Sequence, residues 1–388
     1  MTERYEEQGN GFKVYITIIG GNQAYITASV TLPHRTAEIA AGIYQTIYSV
    51  LEKYRLQIVH ERIFGDLSSY EQIIEARNRA FARFGESLPF TYIQGKPVID
   101  SGLAGVQIRA FRPERPDDGI WVIRYDGRAV GRKWRRSGAE LLMLQNIYGN
   151  PQIADRYHQA CDMFDQAQAV LQSEGLSFKN VLRTWIYLSK ILEWYGEFNR
   201  ARNARFTEYG LLGLSEKENT EAERIYLPAS TGILGENPAG AAGAMDAFAV
   251  RPGGAGLQIS HTTGVQQKSP YRYGSAFSRA MPLREPDVKH ILLSGTASID
   301  EHGKTVFIGD VEAQIRKTFS VVEALIRHEG ASLHDVHEAT VFFKCPQDFR
   351  YFPKIAREFG VADLPAVYIV ADVCRDDLLF ELDAAIAV

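Results

Sequence analysis

Cysteine is scarce in this chain. Cys161, Cys345 and Cys374 are the only three in 388 residues, an odd number without C-x-x-C spacing, so neither a disulfide frame nor a zinc knuckle is expected. Long apolar runs are missing too. No stretch approaches the roughly 20 residues needed to span a bilayer, and Met1-Thr2-Glu3-Arg4 does not open a signal peptide. The expected location is the cytoplasm, with no membrane partner. Positive charge is not in excess, with 43 Lys and Arg against 47 Asp and Glu, so the electrostatic footprint of a nucleic-acid binder is absent. The one basic run, Arg132-Lys133-Trp134-Arg135-Arg136, reads as a solvated strand end or turn. There is no H-E-x-x-H, Walker loop or dinucleotide fingerprint, and His334 and His337 stand three apart with no third ligand nearby. Neither a metal nor a cofactor is implied.

What is present is a globular composition, 45% apolar and 23% charged, long enough for two or three units of ordinary domain size. The first unit opens with alternating β-type runs, Val14–Ile18 and Tyr25–Val30, about a Gly20-Gly21-Asn22 turn signal. Ile39, Ile43, Ile47 and Leu51 then recur every fourth residue, the stripe of an amphipathic helix. A strand over Gln57–Ile63, a helix over Tyr70–Phe84 and a strand over Gln107–Ala110 complete the order ββαβαβ.

The order repeats, and the letters repeat with it. Glu174-Gly175-Leu176-Ser177-Phe178-Lys179-Asn180-Val181 returns 155 residues later as Glu329-Gly330-Ala331-Ser332-Leu333-His334-Asp335-Val336, with Gln159 and Phe164 matched by Gln314 and Phe319. Leu227-Pro228-Ala229 is matched by Leu364-Pro365-Ala366. Duplicated units follow: 1–111, 117–252 and 255–388, each a mixed sheet with helices on one face, an α+β architecture. The copies differ at one chemical position. In the closing strands Ala244-Met245-Asp246 aligns with Glu381-Leu382-Asp383, so the fold does not require the acid at Glu381, and function explains it better than structure does. Cys374, seven residues earlier, sits at the end of an apolar run before an Arg375-Asp376-Asp377 turn. If that turn pairs the two runs, thiol and carboxyl reach one pocket; a buried cysteine acting as a small hydrophobe is the other reading. Tyr271-Arg272-Tyr273-Gly274 leading into Phe277-Ser278-Arg279-Ala280, and Trp194-Tyr195 leading into Arg200 and Arg202, supply arginine forks and tyrosine donors suited to carboxylates.

These residues resemble the chorismatase family, built on the YjgF/Rid-like (chorismate mutase-like) fold. The resemblance is carried by Arg183-Thr184-Trp185-Ile186-Tyr187, Tyr195 with Phe198 and Arg202, Leu227-Pro228-Ala229-Ser230-Thr231-Gly232-Ile233, Tyr273-Gly274 with Phe277-Ser278-Arg279-Ala280, Ser294-Gly295-Thr296-Ala297, and Val373-Cys374-Arg375-Asp376-Asp377-Leu378-Leu379 with Glu381. It spans the chain from about Asp118 onward and is weak before that. The resemblance implies a cytoplasmic enzyme of secondary metabolism that cleaves chorismate to pyruvate and 3-hydroxybenzoate. Glu381 would be the general acid, while Cys374 and Gly295 mark the 3-hydroxybenzoate-forming type. Arg279, Arg202, Tyr273, Tyr195, Tyr187 and Ala280 would bind substrate, and Gly295 would leave room for the ring. Three complete units in one chain would imitate a trimer, so a monomer or a homotrimer is expected. Three alternatives stay open: a hydrolase giving a 3,4-dihydroxycyclohexadiene carboxylate, a Rid-type imine hydrolase, and a non-catalytic binding protein. The imine hydrolases hold substrate with an arginine just after Leu-Pro-Ala, where this chain has Ser230 and Val367.

Overall fold

The computed structural model describes residues 2–33, 35–84, 88–99, 102–115, 118–136, 138–212, 227–253, 256–262 and 276–388. The first segment contributes β1 (Thr2–Gly9), β2 (Phe12–Ile19), β3 (Gln23–Val30), α1 (Thr36–Tyr54), β4 (Gln57–Gly65), α2 (Tyr70–Phe81), β5 (Thr91–Gln94), β6 (Lys96–Pro97) and β7 (Leu103–Phe111). The second contributes β8 (Ile120–Tyr125), β9 (Arg128–Arg136), β10 (Ala139–Tyr148), α3 (Arg156–Ser173), β11 (Val181–Leu188), α4 (Ile191–Glu208), β12 (Ala229–Leu234) and β13 (Gly243–Arg251). The third contributes β14 (Gln258–Ile259), β15 (Ala280–Arg284), β16 (Lys289–Ala297), α5 (Val311–His328), β17 (Val336–Phe343), α6 (Phe352–Glu358), β18 (Ala366–Val370) and β19 (Phe380–Ala387).

These elements form three mixed sheets in the orders β1-β2-β3-β7-β4-β5, β8-β9-β10-β13-β11-β12 and β14-β15-β16-β19-β17-β18-β6. In each, three antiparallel strands are followed by the closing strand, a further antiparallel strand and a short parallel strand, and in the third sheet β6 extends that edge antiparallel to β18. The fold is α+β and YjgF/Rid-like, with more strands than the ββαβαβ order expected. The extra ones carry no apolar alternation. β1 reads Thr-Glu-Arg-Tyr-Glu-Glu-Gln-Gly and is exposed along most of its length, as a charged edge strand is when it must resist pairing with other chains. β9 contains the basic run read as a turn; Val130 and Trp134 are buried on it, and so is Arg132 between them. β6 leaves the first segment to pair with β18 of the third sheet.

The repeat found in the letters has a structural cause. Gln159 on α3 accepts the Ala242 N–H at 2.9 Å, and Gln314 on α5 accepts the Leu379 N–H at 2.8 Å, so each glutamine ties a helix to the chain entering the closing strand. Ser177 with Asn180 and Ser332 with Asp335 form matching capping boxes ahead of β11 and β17. Helices cover one face of every sheet over separate apolar cores around Phe164, Tyr44 and Phe319. The other faces meet in a shared core containing Phe64, Trp185 and Phe342.

Charged residues cross that shared core. Between the first and second sheets, Asp246 accepts from His60 Nε2 at 2.8 Å and from the Thr91 hydroxyl. Between the second and third, Asp383 accepts from Arg183 Nη2 at 3.1 Å and Thr231 Oγ1 at 2.8 Å. Between the third and first, Glu338 accepts from Arg62 Nη2 at 3.0 Å and Arg109 Nη2 at 2.7 Å. His60, Arg183 and Glu338 each follow a bulge at the same register of their sheets. Trp185 lies among the guanidinium groups of Arg62, Arg109 and Arg183, with ring centroids 4.8, 5.0 and 4.6 Å away.

Burial alone would raise the Glu338 pKa, but Arg109 and Arg62 outweigh it and hold the carboxyl well below the ordinary range. Its stabilisation is therefore complete above the unfolded-state value near ~4.3 and lost as pH falls further. Glu338→Gln leaves Arg62 and Arg109 buried without a counter-charge, and urea unfolding at pH 7 should show a loss of about 3–5 kcal/mol. A loss below about 1 kcal/mol, the scale of an exposed pair, would mean the junction does not depend on this carboxylate.

Candidate active site

β12 of the second sheet runs against β16 of the third. The two are stitched by Ser294 Oγ, which accepts the Ser230 N–H at 2.8 Å and donates to Ser278 O at 2.6 Å. A parallel bridge joins Ala229 to Ser278. Beside this seam lies a pocket with about 540 Å³ of empty space, part of it open to solvent. Tyr195 and Arg202 reach it from α4, two helical turns apart. Arg279, Gly295, Cys374 and Glu381 reach it from the third segment.

Glu381 sits near the start of β19, paired with Ala297 on β16 and Phe342 on β17, and is 5% exposed. The β16–β19 register shifts between Leu293 and Thr296, and this bulge brings Gly295 close to the carboxyl. A Cβ at Gly295 would stand 2.1 Å from Glu381 Oε1 and 3.0 Å from Cδ. The space a glycine leaves here is taken by the acid itself, rather than kept for a substrate ring. The Gly295 N–H donates to Thr231 Oγ1 at 3.1 Å, and Thr231 is held by Asp383 and Arg183.

Burial pushes the Glu381 pKa to about 8, and the Asp383 carboxylate adds to the rise, against Arg279 and Arg183. The group is a protonated acid at neutral pH. Cys374 is partly buried; burial, and after it the neighbouring Glu381, push its thiol up to about 12 against Arg375 and a hydrogen bond with Tyr195. It is a neutral S–H rather than a nucleophilic thiolate. The Arg279 and Arg202 guanidinium groups lie 5.5 and 5.7 Å from the centroid of the Phe277 ring, which also lines the pocket. The chamber thus combines a neutral carboxylic acid, a neutral thiol and two arginines, a set able to hold an anion while delivering a proton.

Of the residues singled out in the sequence, Glu381, Cys374, Gly295, Arg279, Arg202 and Tyr195 come together here. Tyr273 lies outside the described residues. Tyr187 and Ala280 are elsewhere. Tyr187 faces the junction with the first sheet, where its hydroxyl accepts from Arg62 Nη1 at 3.3 Å. Ala280 packs with the core under α5, because successive strand residues point to opposite faces and Arg279 has the pocket side. Cys374 and Glu381 do not meet by the strand pairing expected. β17 lies between β18 and β19, and Cys374 stands in the loop beyond β18. Thr231, Asp383, Arg183 and Ser294 were not read as site residues. An aspartate at one place in both copies of an otherwise apolar strand was the available signal.

Isotope-edited infrared titration should place the Glu381 carboxyl midpoint near 8. A midpoint in the ordinary range of roughly 4–5 would show that this group is ionised at neutral pH.

Comparison with known proteins agrees with this architecture. A family model described as Endoribonuclease L-PSP matches residues 276–388. A 3-hydroxybenzoate synthase of Streptomyces hygroscopicus is 29% identical over 240 residues, covering 55% of this chain and 65% of that protein. A chorismatase of Streptomyces rapamycinicus is 28% identical over 235 residues, with the same coverage of each. The chain thus spans just under two thirds of the length of these relatives. A crystal structure of a chorismatase superposes with a TM-score of 0.59 at 19% identity, covering 85% of this chain and 92% of that one. In sequence the chain is similar to these Streptomyces proteins, and in its YjgF/Rid-like fold it is similar to the solved chorismatase.

Proposed function

We propose that this protein cleaves chorismate to pyruvate and 3-hydroxybenzoate, with Glu381 as general acid. The observation that carries the reading is a buried carboxyl, its pKa raised to about 8 by burial, lining one pocket with two arginines and a neutral thiol, at a strand position where the second sheet has Ala244. The names of the Streptomyces relatives point to the same substrate and product.

In the proposed reaction, Glu381 gives its proton to the terminal methylene of the enolpyruvyl group, making an oxocarbenium ion. The adjacent ring hydroxyl then gives up its proton and displaces the side chain at the neighbouring ring carbon, forming an arene oxide as the ether oxygen leaves with pyruvate. Protonation of that epoxide oxygen breaks its bond to the carbon that first bore it, and loss of the ring proton there restores aromaticity and returns a proton to the site. No water is consumed, so a partly enclosed chamber favours this course over hydrolysis. Arg279 and Arg202 hold the two substrate carboxylates, with Tyr195 beside them and Tyr273 assigned to the same role. Cys374 directs the product by shape or by proton transfer. Gly295 acts through Glu381, since a methyl group there collides with the carboxyl oxygen. The reading also takes 1–111, 117–252 and 255–388 as three units that place three sheets around one junction. One chain then supplies what three subunits supply in a trimer, and we propose a cytoplasmic monomer.

Glu381→Gln should lower pyruvate release by about 100-fold or more, the usual scale of general acid catalysis, while Cys374→Ala should keep turnover and move product from 3-hydroxybenzoate toward the dihydrodiol acid. Turnover should decline as pH rises through about 8, because the acid is lost when Glu381 ionises. Near-normal pyruvate release by the glutamine variant would remove the acid from the scheme, and an unchanged product ratio would leave Cys374 as packing.

A further inference from the structure

At the opposite end of β16 from Gly295, the three sheets border a second pocket with about 520 Å³ of empty space, part of it open to solvent, close in size to the 540 Å³ pocket that holds Glu381. Every sheet contributes to it: Gln23, Tyr25 and Phe111 from the first, Trp134, Met143 and Phe248 from the second, Leu283, Glu285, His290 and Leu292 from the third. The walls are mostly apolar, with Trp134 and Phe248 stacked at 6.1 Å. Three buried polar atoms on its lining residues, Gln23 Nε2, His290 Nε2 and Glu285 Oε1, have no hydrogen-bond partner among the described residues. An unmet buried polar atom is destabilising, so three around one apolar cavity call for an occupant.

Their chemistry defines the occupant. Burial raises the Glu285 pKa and Arg136, 2.7 Å from Oε2, opposes the rise; Oε2 is the oxygen that Arg136 engages, which leaves Oε1 as an acceptor. The Tyr25 hydroxyl lies 3.5 Å from His290 Nδ1, and Glu285 Oε1 faces Nε2 at 3.5 Å without hydrogen-bond geometry. Burial, and then Arg136 and Arg109, lower the His290 pKa to about 3, so the ring is neutral. With Tyr25 donating to Nδ1, its single proton is on Nε2. One acceptor and two donors around an apolar space match a hydroxyl group on a hydrocarbon body. We propose that this junction cavity binds a small apolar alcohol or phenol, whose hydroxyl donates to Glu285 and accepts from His290 and Gln23. Its ring lies against Trp134 and Phe248. The site touches all three sheets, so its ligand stabilises their assembly. It does not depend on the chemistry proposed for Glu381.

Calorimetry on the full chain with phenol and with benzene tests this, together with crystals soaked in 4-bromophenol and read by bromine anomalous scattering. Phenol should bind once per chain, about tenfold or more tighter than benzene, in keeping with recovery of buried hydrogen bonds. Affinity should be unchanged in Glu381→Gln, and the bromine should lie between Trp134 and His290. Absence of phenol binding, equal affinity for benzene, or bromine found solely beside Glu381 would each overturn the assignment. The soak reads the wild-type protein, so the result does not rest on any variant folding.

Discussion

The fold depends on placing charge where three sheets meet. Asp246, Asp383 and Glu338 are each buried between two sheets, and each is answered by a donor from the neighbouring sheet. Ions removed from water are tolerated only when such partners are supplied. The partners come from different segments, so the pairing fixes which sheet lies beside which, a specification that an apolar interface alone would supply less sharply. Trp185, enclosed by Arg62, Arg109 and Arg183, turns what would be guanidinium repulsion into attraction to a shared ring.

The candidate site is a local use of that scheme. Asp383 satisfies Arg183 and Thr231 at the junction, and the same carboxylate raises the pKa of Glu381 two residues away on β19. Thr231 then holds the Gly295 N–H at the bulge, where any side chain would meet the acid. The equivalent register of the second sheet has Ala244 opposite Tyr187 and Tyr148, with a methyl group where the third sheet has the acid. One junction holds a buried acid beside a glycine and the second sheet's threonine, while the other holds that methyl group.

Much of this was legible in the letters, and the parts that were not share a cause. The repeat was visible because Gln159 and Gln314, and the two Ser-containing caps, make the same local hydrogen bonds in both copies. Glu381 stood out because it breaks that repeat. β1 and β9 were missed because strands exposed at an edge or crossed by arginines do not alternate in polarity. Ala280 was misplaced because strand parity near Arg279 decides which face a side chain takes, and a motif read as a block hides parity. The true route bringing Cys374 to Glu381, through a loop with β17 intervening, depends on strand order. Strand order is set by long-range pairing that no local pattern records.

The central claim is that a neutral Glu381 starts an intramolecular displacement rather than a hydrolysis. Turnover of chorismate in ¹⁸O-labelled water, followed by mass analysis of the ring product, tests it most directly. The account predicts 3-hydroxybenzoate whose ring oxygen carries no label, because that oxygen is the substrate's own hydroxyl. A labelled ring oxygen, or a labelled dihydrodiol acid as the main product, would contradict it.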